Sequence, residues 1–186
     1  MTLIPAFELA VWNAWLFIVP FRLVNYGLSA LLLDRKSNLF LWPSCTRAEN
    51  ALVITLLALL TGSWVYSVFV PVQAGTAWLY AGLPVYLLGT FFVTMAVACF
   101  SKTPPDKPNT TGIYRVSRHP YNLGWLLTYL GIGIACASWV FLLLALVFLL
   151  LYNTIAVAEE RTCIEKYGDA YREYMERTPR WLGLPR

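Results

Sequence analysis

Apolar residues fall in long runs along this chain, broken by short polar segments. The first run extends from about Glu8 to Leu33 and is imperfect, since it holds Asn13, Arg22 and Asn25. The second runs from Ala51 to Val70 and stops at Pro71; the third runs from about Thr76 to Phe100. Each has roughly the 20 residues that a helix needs to cross a bilayer. The last run carries no charge from Tyr121 to Ala158, too long for a single crossing. Small residues from Gly131-Ile132-Gly133 through Ala137-Ser138 break it into Tyr121–Ala135 and a returning Trp139–Ala158. The pattern predicts an all-α, polytopic membrane protein with about five transmembrane helices and an amphipathic helical tail. Residues 1–100 would carry three spans, and residues 101–186 a linker, a helical hairpin and the tail.

Composition agrees with that reading. The chain is 59% hydrophobic and 13% charged, against about 45–50% and about 25% for soluble domains. Disorder is excluded, because low hydrophobicity is its signature. The N-terminus lacks a basic n-region and an A-x-A-like cleavage site, so a signal peptide is a poor reading. Apart from Arg22, the cations cluster in three places. Arg35, Lys36 and Arg47 lie between the first two spans. Lys102, Lys107, Arg115 and Arg118 lie between the third and fourth. Arg161, Lys166, Arg172, Arg177, Arg180 and Arg186 lie in the tail. Five spans put all three clusters on one side, and the positive-inside rule makes that side cytoplasmic. The N-terminus is then outside and the C-terminus inside. The formal charge of +4 suits a basic face against anionic lipid and calls for no nucleic acid. Cys45, Cys99, Cys136 and Cys163 share no motif spacing, and His119 is the one histidine, so no His/Cys zinc set is expected. Small residues in the spans could pack within one chain or between two, which leaves the oligomeric state open.

Chemistry has few polar places to live. Pro104, Pro105 and Pro108 make the start of the linker extended, and Asn109 to Gly112 reads as a turn. Arg118 and His119 then crowd the start of the fourth span. Pro120 suits a first helical turn, and a helix N-terminus favours anions. Glu159-Glu160, taken alone, reads as a solvated helix end. Beyond it, Cys163, Ile164, Tyr167, Tyr171, Tyr174 and Met175 recur on one helical face, as in a segment lying on the membrane. Gly168 can end one helix and Asp169 cap the next. Glu173 and Arg177 form an i,i+4 pair, Thr178-Pro179 stops the helix, and Trp181 reads as an interfacial anchor. Arg22 either forms a polar lumen with Asn25 or snorkels to the surface.

Several of these pieces, in this order, have a familiar look. Gly112-Ile-Tyr-Arg-Val-Ser-Arg-His-Pro120, a helical hairpin, Glu159-Glu160, Lys166-Tyr-Gly-Asp-Ala-Tyr-Arg-Glu-Tyr174 and Pro179-Arg180-Trp181 resemble the isoprenylcysteine carboxyl methyltransferase family. Phospholipid methyltransferases share related elements. The resemblance begins at Gly112; the first hundred residues match only as hydrophobic spans. It implies an integral membrane enzyme that uses S-adenosylmethionine, held by the C-terminal half at the cytoplasmic boundary. The acceptor would be lipid-like or a small hydrophobic carboxylate, amine or thiol, reached from the bilayer. Carried onto this chain, Arg118, His119 and the helix N-terminus would hold the donor carboxylate, and Pro120 and Asn122 would also belong to the donor site. Glu159 or Glu160 would take its ammonium or ribose hydroxyls. Tyr114 and Tyr171 would pack on adenine or the sulfonium. Arg180 and Glu160 are the catalytic candidates, with Arg180 steering an anionic acceptor. One departure stands out: the family reads His-Pro-x-Tyr, whereas here Tyr121 follows Pro120 and Asn122 holds the usual tyrosine position. Two rival readings remain. Membrane sterol reductases, which use NADPH, have a similar Arg-His-Pro element and a Lys-Tyr-Gly tail, but are longer and do not share the Glu-Glu emphasis. The other rival is a membrane scaffold that has lost its activity.

Overall fold

The computed structural model describes residues 10–33 and 46–183. Glu8, Arg35, Lys36, Cys45 and Arg186 lie outside the described residues. The helices are α1 (Trp15–Leu32), α2 (Arg47–Ser67), α3 (Ala77–Ser101), α4 (Pro120–Ala135), α5 (Trp139–Tyr167) and α6 (Asp169–Arg177), with a short 3-10 helix at Gly112–Arg115.

α1 starts later than the hydrophobic run predicts. Residues before it pair with the α2–α3 turn instead: the Ala14 amide donates to Val70 O (2.8 Å) and the Val72 amide to Trp12 O (2.9 Å). The Asn13 side-chain amide donates to Val68 O (2.6 Å). The Gln73 amide reaches Ala135 O (3.3 Å), which ties the end of α4 to the same turn. α2 opens on a capping box between Thr46 and Glu49, which satisfies two amides left free at a helix start.

Four helices, α1, α2, α3 and α5, are long and apolar enough to cross a membrane. α4, at 16 residues, is shorter than that. The expectation of about five crossings is thus met by four full-length helices and one short one. Pro120 fixes where α4 begins. A turn at Cys136–Ser138, with Ala137 at φ +48°, ends it. The short helix is held by its neighbour. On α3, Gly82 and Gly89 face Gly131 and Gly124 of the antiparallel α4. A Cβ built on Gly89 would lie 2.4 Å from the Thr128 amide, and one on Gly131 2.3 Å from the Tyr86 amide. Where lipid tails are as apolar as leucine, such close backbone approach is the main source of helix association. The sequence reading gave Gly131 to the hairpin turn; in the structure it belongs to this seam. Around α4 the core is aromatic. Phe21 meets Trp125 edge-on (4.8 Å between centroids), and Tyr129 meets Phe148 likewise (4.8 Å).

α5 does not stop where its apolar run stops. It continues through Glu159-Glu160 to Tyr167 and ends at Gly168, whose φ of +59° suits only a residue without a side chain. The carboxylate pair is therefore inside a helix rather than at its end, since no breaker intervenes before Gly168. Glu160 lies about 32 Å along α5 at 1.5 Å per residue, against a hydrocarbon core of about 30 Å. The pair therefore lies about one bilayer thickness from the start of α5.

The seam gives a direct test. Gly131→Ala should lower stability by about 1–3 kcal/mol, because two backbones must part. Gly62→Ala, with nothing within 4 Å of its added carbon, should be neutral or raise stability by up to about 1 kcal/mol. Melting of the detergent-solubilised protein, followed by tryptophan fluorescence, compares the two.

Candidate active site

The linker between α3 and α4 is less extended than its prolines suggest. The Lys107 amide turns back to Pro104 O (3.1 Å); the turn expected over residues 109–112 is not formed there, and a 3-10 helix follows instead over Gly112–Arg115. Its last residues form a platform for the tail. The Arg118 amide donates to Pro179 O (3.0 Å) and the Gly183 amide to Val116 O (3.1 Å). The Ser117 hydroxyl donates to Arg180 O (3.2 Å) and accepts from the His119 amide (3.1 Å). This strap carries Arg180 back over the start of α4. Sequence reasoning passed over Ser117, although a serine bonding the amide two residues on is a recurrent local motif.

Glu160 is the hub of the cluster that results. Its Oε1 accepts from His119 Nε2 and Arg180 Nε, each at 3.1 Å, and forms an ion pair with Arg118 Nη2, also at 3.1 Å. Its Oε2 accepts from Arg180 Nη2 at 2.7 Å. An ionised carboxylate has about four acceptor positions, so the side chain is nearly saturated. Its side chain is 4% exposed. Glu159 is the opposite case. It is 30% exposed and spends one oxygen on His119 Nδ1 at 3.1 Å.

His119 thus faces a carboxylate at each ring nitrogen. A neutral imidazole donates from only one nitrogen, so the two contacts together require the protonated ring. Burial by itself would lower its pKa; the hydrogen bonds it donates to Glu159 and Glu160 outweigh that and hold it above the ordinary 6.5. With His119 charged, three cations meet two carboxylates, and the cluster keeps one positive charge.

The remaining candidates sit around this centre. Pro120 is the first residue of α4, Asn122 is buried in its first turn, and no side chain caps the helix. Tyr114 lies on the 3-10 helix, and its carbonyl accepts from the Tyr174 hydroxyl (2.7 Å). Burial pushes the Tyr114 and Tyr171 hydroxyls well up. Tyr171 and Tyr174 are buried with ring centroids 5.6 Å apart. The apolar face of α6 therefore packs inward onto the linker rather than lying on a lipid surface. Asp169 is the first residue of α6 and bonds Arg172 instead of capping the helix. Glu173 and Arg177 pair as expected. Trp181 is not a lone anchor: its ring lies 6.4 Å from His119. No group of His, Cys, Asp and Glu suited to a metal occurs among the described residues.

The fold and this site define a helical membrane protein whose charged residues gather where α4 begins and the long α5 nears its end. The family model of phospholipid methyltransferases matches residues 81–170, from within α3 to the start of α6. Through that region the chain is similar to the membrane methyltransferases of the isoprenylcysteine and phospholipid group. No curated protein and no solved structure matches it.

Two outcomes follow from the cluster. Removing one partner of a buried ion pair costs about 3–5 kcal/mol, so Glu160→Ala should melt far below the wild type. Arg177→Ala, which loses an exposed pair, should change stability by less than about 1 kcal/mol. The raised pKa of His119 sets a pH dependence. Its stabilisation is complete below about 6.5 and is lost as pH rises through the folded-state value. Melting temperature scanned from about pH 6 to about pH 9 should therefore fall, and more shallowly in His119→Gln.

Proposed function

We propose that this membrane methyltransferase takes its methyl group from S-adenosylmethionine, bound where α4 begins and α5 leaves the membrane, and passes it to a lipid-like acceptor. The observation that carries the reading is the convergence of Arg118, His119, Glu159, Glu160 and Arg180 from three separate parts of the chain. All but Arg180 fall inside the family match. Residues 101–186 form the donor side, and the first three helices form the acceptor side. The three basic clusters favour an orientation with this end and the C-terminus in the cytoplasm and the N-terminus outside.

The residues fit the donor group by group. Arg118 Nε is buried with no acceptor among the described residues. Together with the uncapped start of α4 and the excess positive charge, it suits a carboxylate. Glu159 has an oxygen to spare for an ammonium or a ribose hydroxyl. Tyr114 and Tyr171 border the cluster and suit an adenine ring or a sulfonium. Glu160, already saturated, holds the three cations in place. Arg180 keeps part of its guanidinium for an anionic acceptor. When bound, the donor supplies an electrophilic methyl carbon for in-line displacement, in which the acceptor's lone pair makes the new bond and the sulfur keeps the old electron pair. The chain's own contribution is alignment, which accounts for most of the rate in such a reaction.

Calorimetry on the purified protein tests this. Wild type should bind S-adenosylmethionine and its demethylated product but not NADPH. Glu159→Gln and His119→Ala should each weaken the methyl donor about tenfold or more, the loss of one charge-assisted contact. Binding of NADPH alone would transfer the chain to the reductase reading, and binding of neither to the scaffold reading.

A further inference from the structure

The methyltransferase reading leaves one charged group unused. Arg22 lies on α1, inside the membrane-spanning part of the bundle, and does not snorkel. Its guanidinium carbon lies 4.7 Å from the centroid of the Trp125 ring, 5.3 Å from Trp64 and 5.6 Å from Tyr26. Nη1 donates to the Tyr26 hydroxyl (2.5 Å). Among the described residues Nε is buried with no acceptor and no carboxylate pairs with the group, although the Tyr129 hydroxyl also lies close to it. One turn along α1, the Asn25 amide donates to the Tyr121 hydroxyl (3.1 Å).

The position of the cluster is informative. α1 and α4 run antiparallel here, with Asn25 at the level of Tyr121 and Phe21 at the level of Trp125. Tyr121 is two residues from His119. Arg22 is therefore only about 4.5 Å deeper in the bundle than Asn25. Next to Arg22 on α1, Leu23 and Val24 are exposed and face lipid.

A cation inside a bilayer is costly and is kept for a reason. The aromatic rings offset part of that cost through their faces, but they leave the planar fork of N–H donors without an oxyanion. A guanidinium is shaped to hold such a group through two parallel hydrogen bonds. We propose that Arg22, steadied by Trp64, Trp125 and Tyr26, binds the headgroup oxyanion of a bilayer lipid, a phosphodiester or a carboxylate. A lipid so held that carries a nucleophilic atom beyond the oxyanion, such as the amine of an aminophospholipid, is the methyl acceptor. It slides in beside α1, and its reacting atom points toward His119 and Glu159. This rests on the donor site being at His119, whereas the lipid site itself is testable without it.

The experiment uses the full chain in an uncharged detergent. Short-chain phosphatidylethanolamine, decanoate, dihexanoylglycerol and inorganic phosphate are titrated against wild type, Arg22→Gln and Arg22→Lys, with S-adenosylmethionine binding measured on each. The two lipids with an oxyanion should bind wild type, and Arg22→Gln should weaken both about tenfold or more. Arg22→Lys, which keeps the charge but not the fork, should lie between. S-adenosylmethionine affinity should stay within about twofold in both variants, which also shows that they are folded. Equal binding of dihexanoylglycerol, or unchanged lipid affinity in Arg22→Gln, would overturn the site. Inorganic phosphate binding as tightly as the lipids would overturn the lipid assignment. If S-adenosylmethionine fails to bind wild type while the lipids behave as expected, the donor reading falls and the lipid site stands.

Discussion

The close contact of α3 with α4 is the constraint on which the rest depends. α4 is too short to define its own depth in a membrane, since a helix of its length slides along the normal at little cost. Two glycines on each helix remove that freedom. They let the backbones touch at two levels, so that Gly89 meets Gly124 and Gly82 meets Gly131. The register fixes the height of His119, which starts α4. The same contact draws the far end of α4 onto the α2–α3 turn through the bond from Gln73 to Ala135. Everything that assembles at the charged end, from α5, the linker and the tail, is built against a helix whose position has already been set.

At that end, electrostatics does the work that packing does in the bundle. Burying Glu160 is costly unless its charge is answered. It is answered by three cations whose sequence positions are far apart: Arg118 and His119 before α4, and Arg180 beyond α6. Because the hub is nearly saturated, its role is organisation. On the proposed reading, donor binding falls to its less committed neighbours: Glu159, and Arg118, whose Nε has no acceptor among the described residues. The backbone strap from Val116–Arg118 to Pro179–Gly183 ties Arg180 to the start of α4 through two hydrogen bonds. Positioning of this kind is what an alignment-driven transfer requires. The surface pairs on α6, by contrast, decorate the tail and position nothing.

A second polar region lies on the membrane side of the first and is joined to it by the turn from His119 to Tyr121. Its logic is the inverse: a lone guanidinium among aromatic faces rather than a carboxylate among cations. The two regions flank the first turn of α4 from opposite directions. An acceptor with a hydrocarbon body and an anionic head would reach across the gap between them.

The sequence by itself determined the helical spans, the hairpin division at Ala135 and Trp139, the break at Gly168 and the stop at Thr178. Each follows from a local property: hydrophobic run length, a turn residue, or a proline. It also marked Arg118, His119, Glu159, Glu160 and Arg180 through the resemblance, without indicating how they meet. Only the tertiary structure decided that Glu160 is a buried hub and Glu159 the accessible carboxylate. The two are adjacent in sequence, and a helix turns adjacent residues about 100° apart, so their environments depend on what packs against each face. The same reason explains Gly131, read as part of a turn but placed in a seam. It explains Arg22 too, whose choice between snorkelling and a lumen was settled by rings from α2 and α4 that only folding brings near. Local signals end or start helices; the partners of a side chain come from elsewhere in the chain, and no periodicity encodes them.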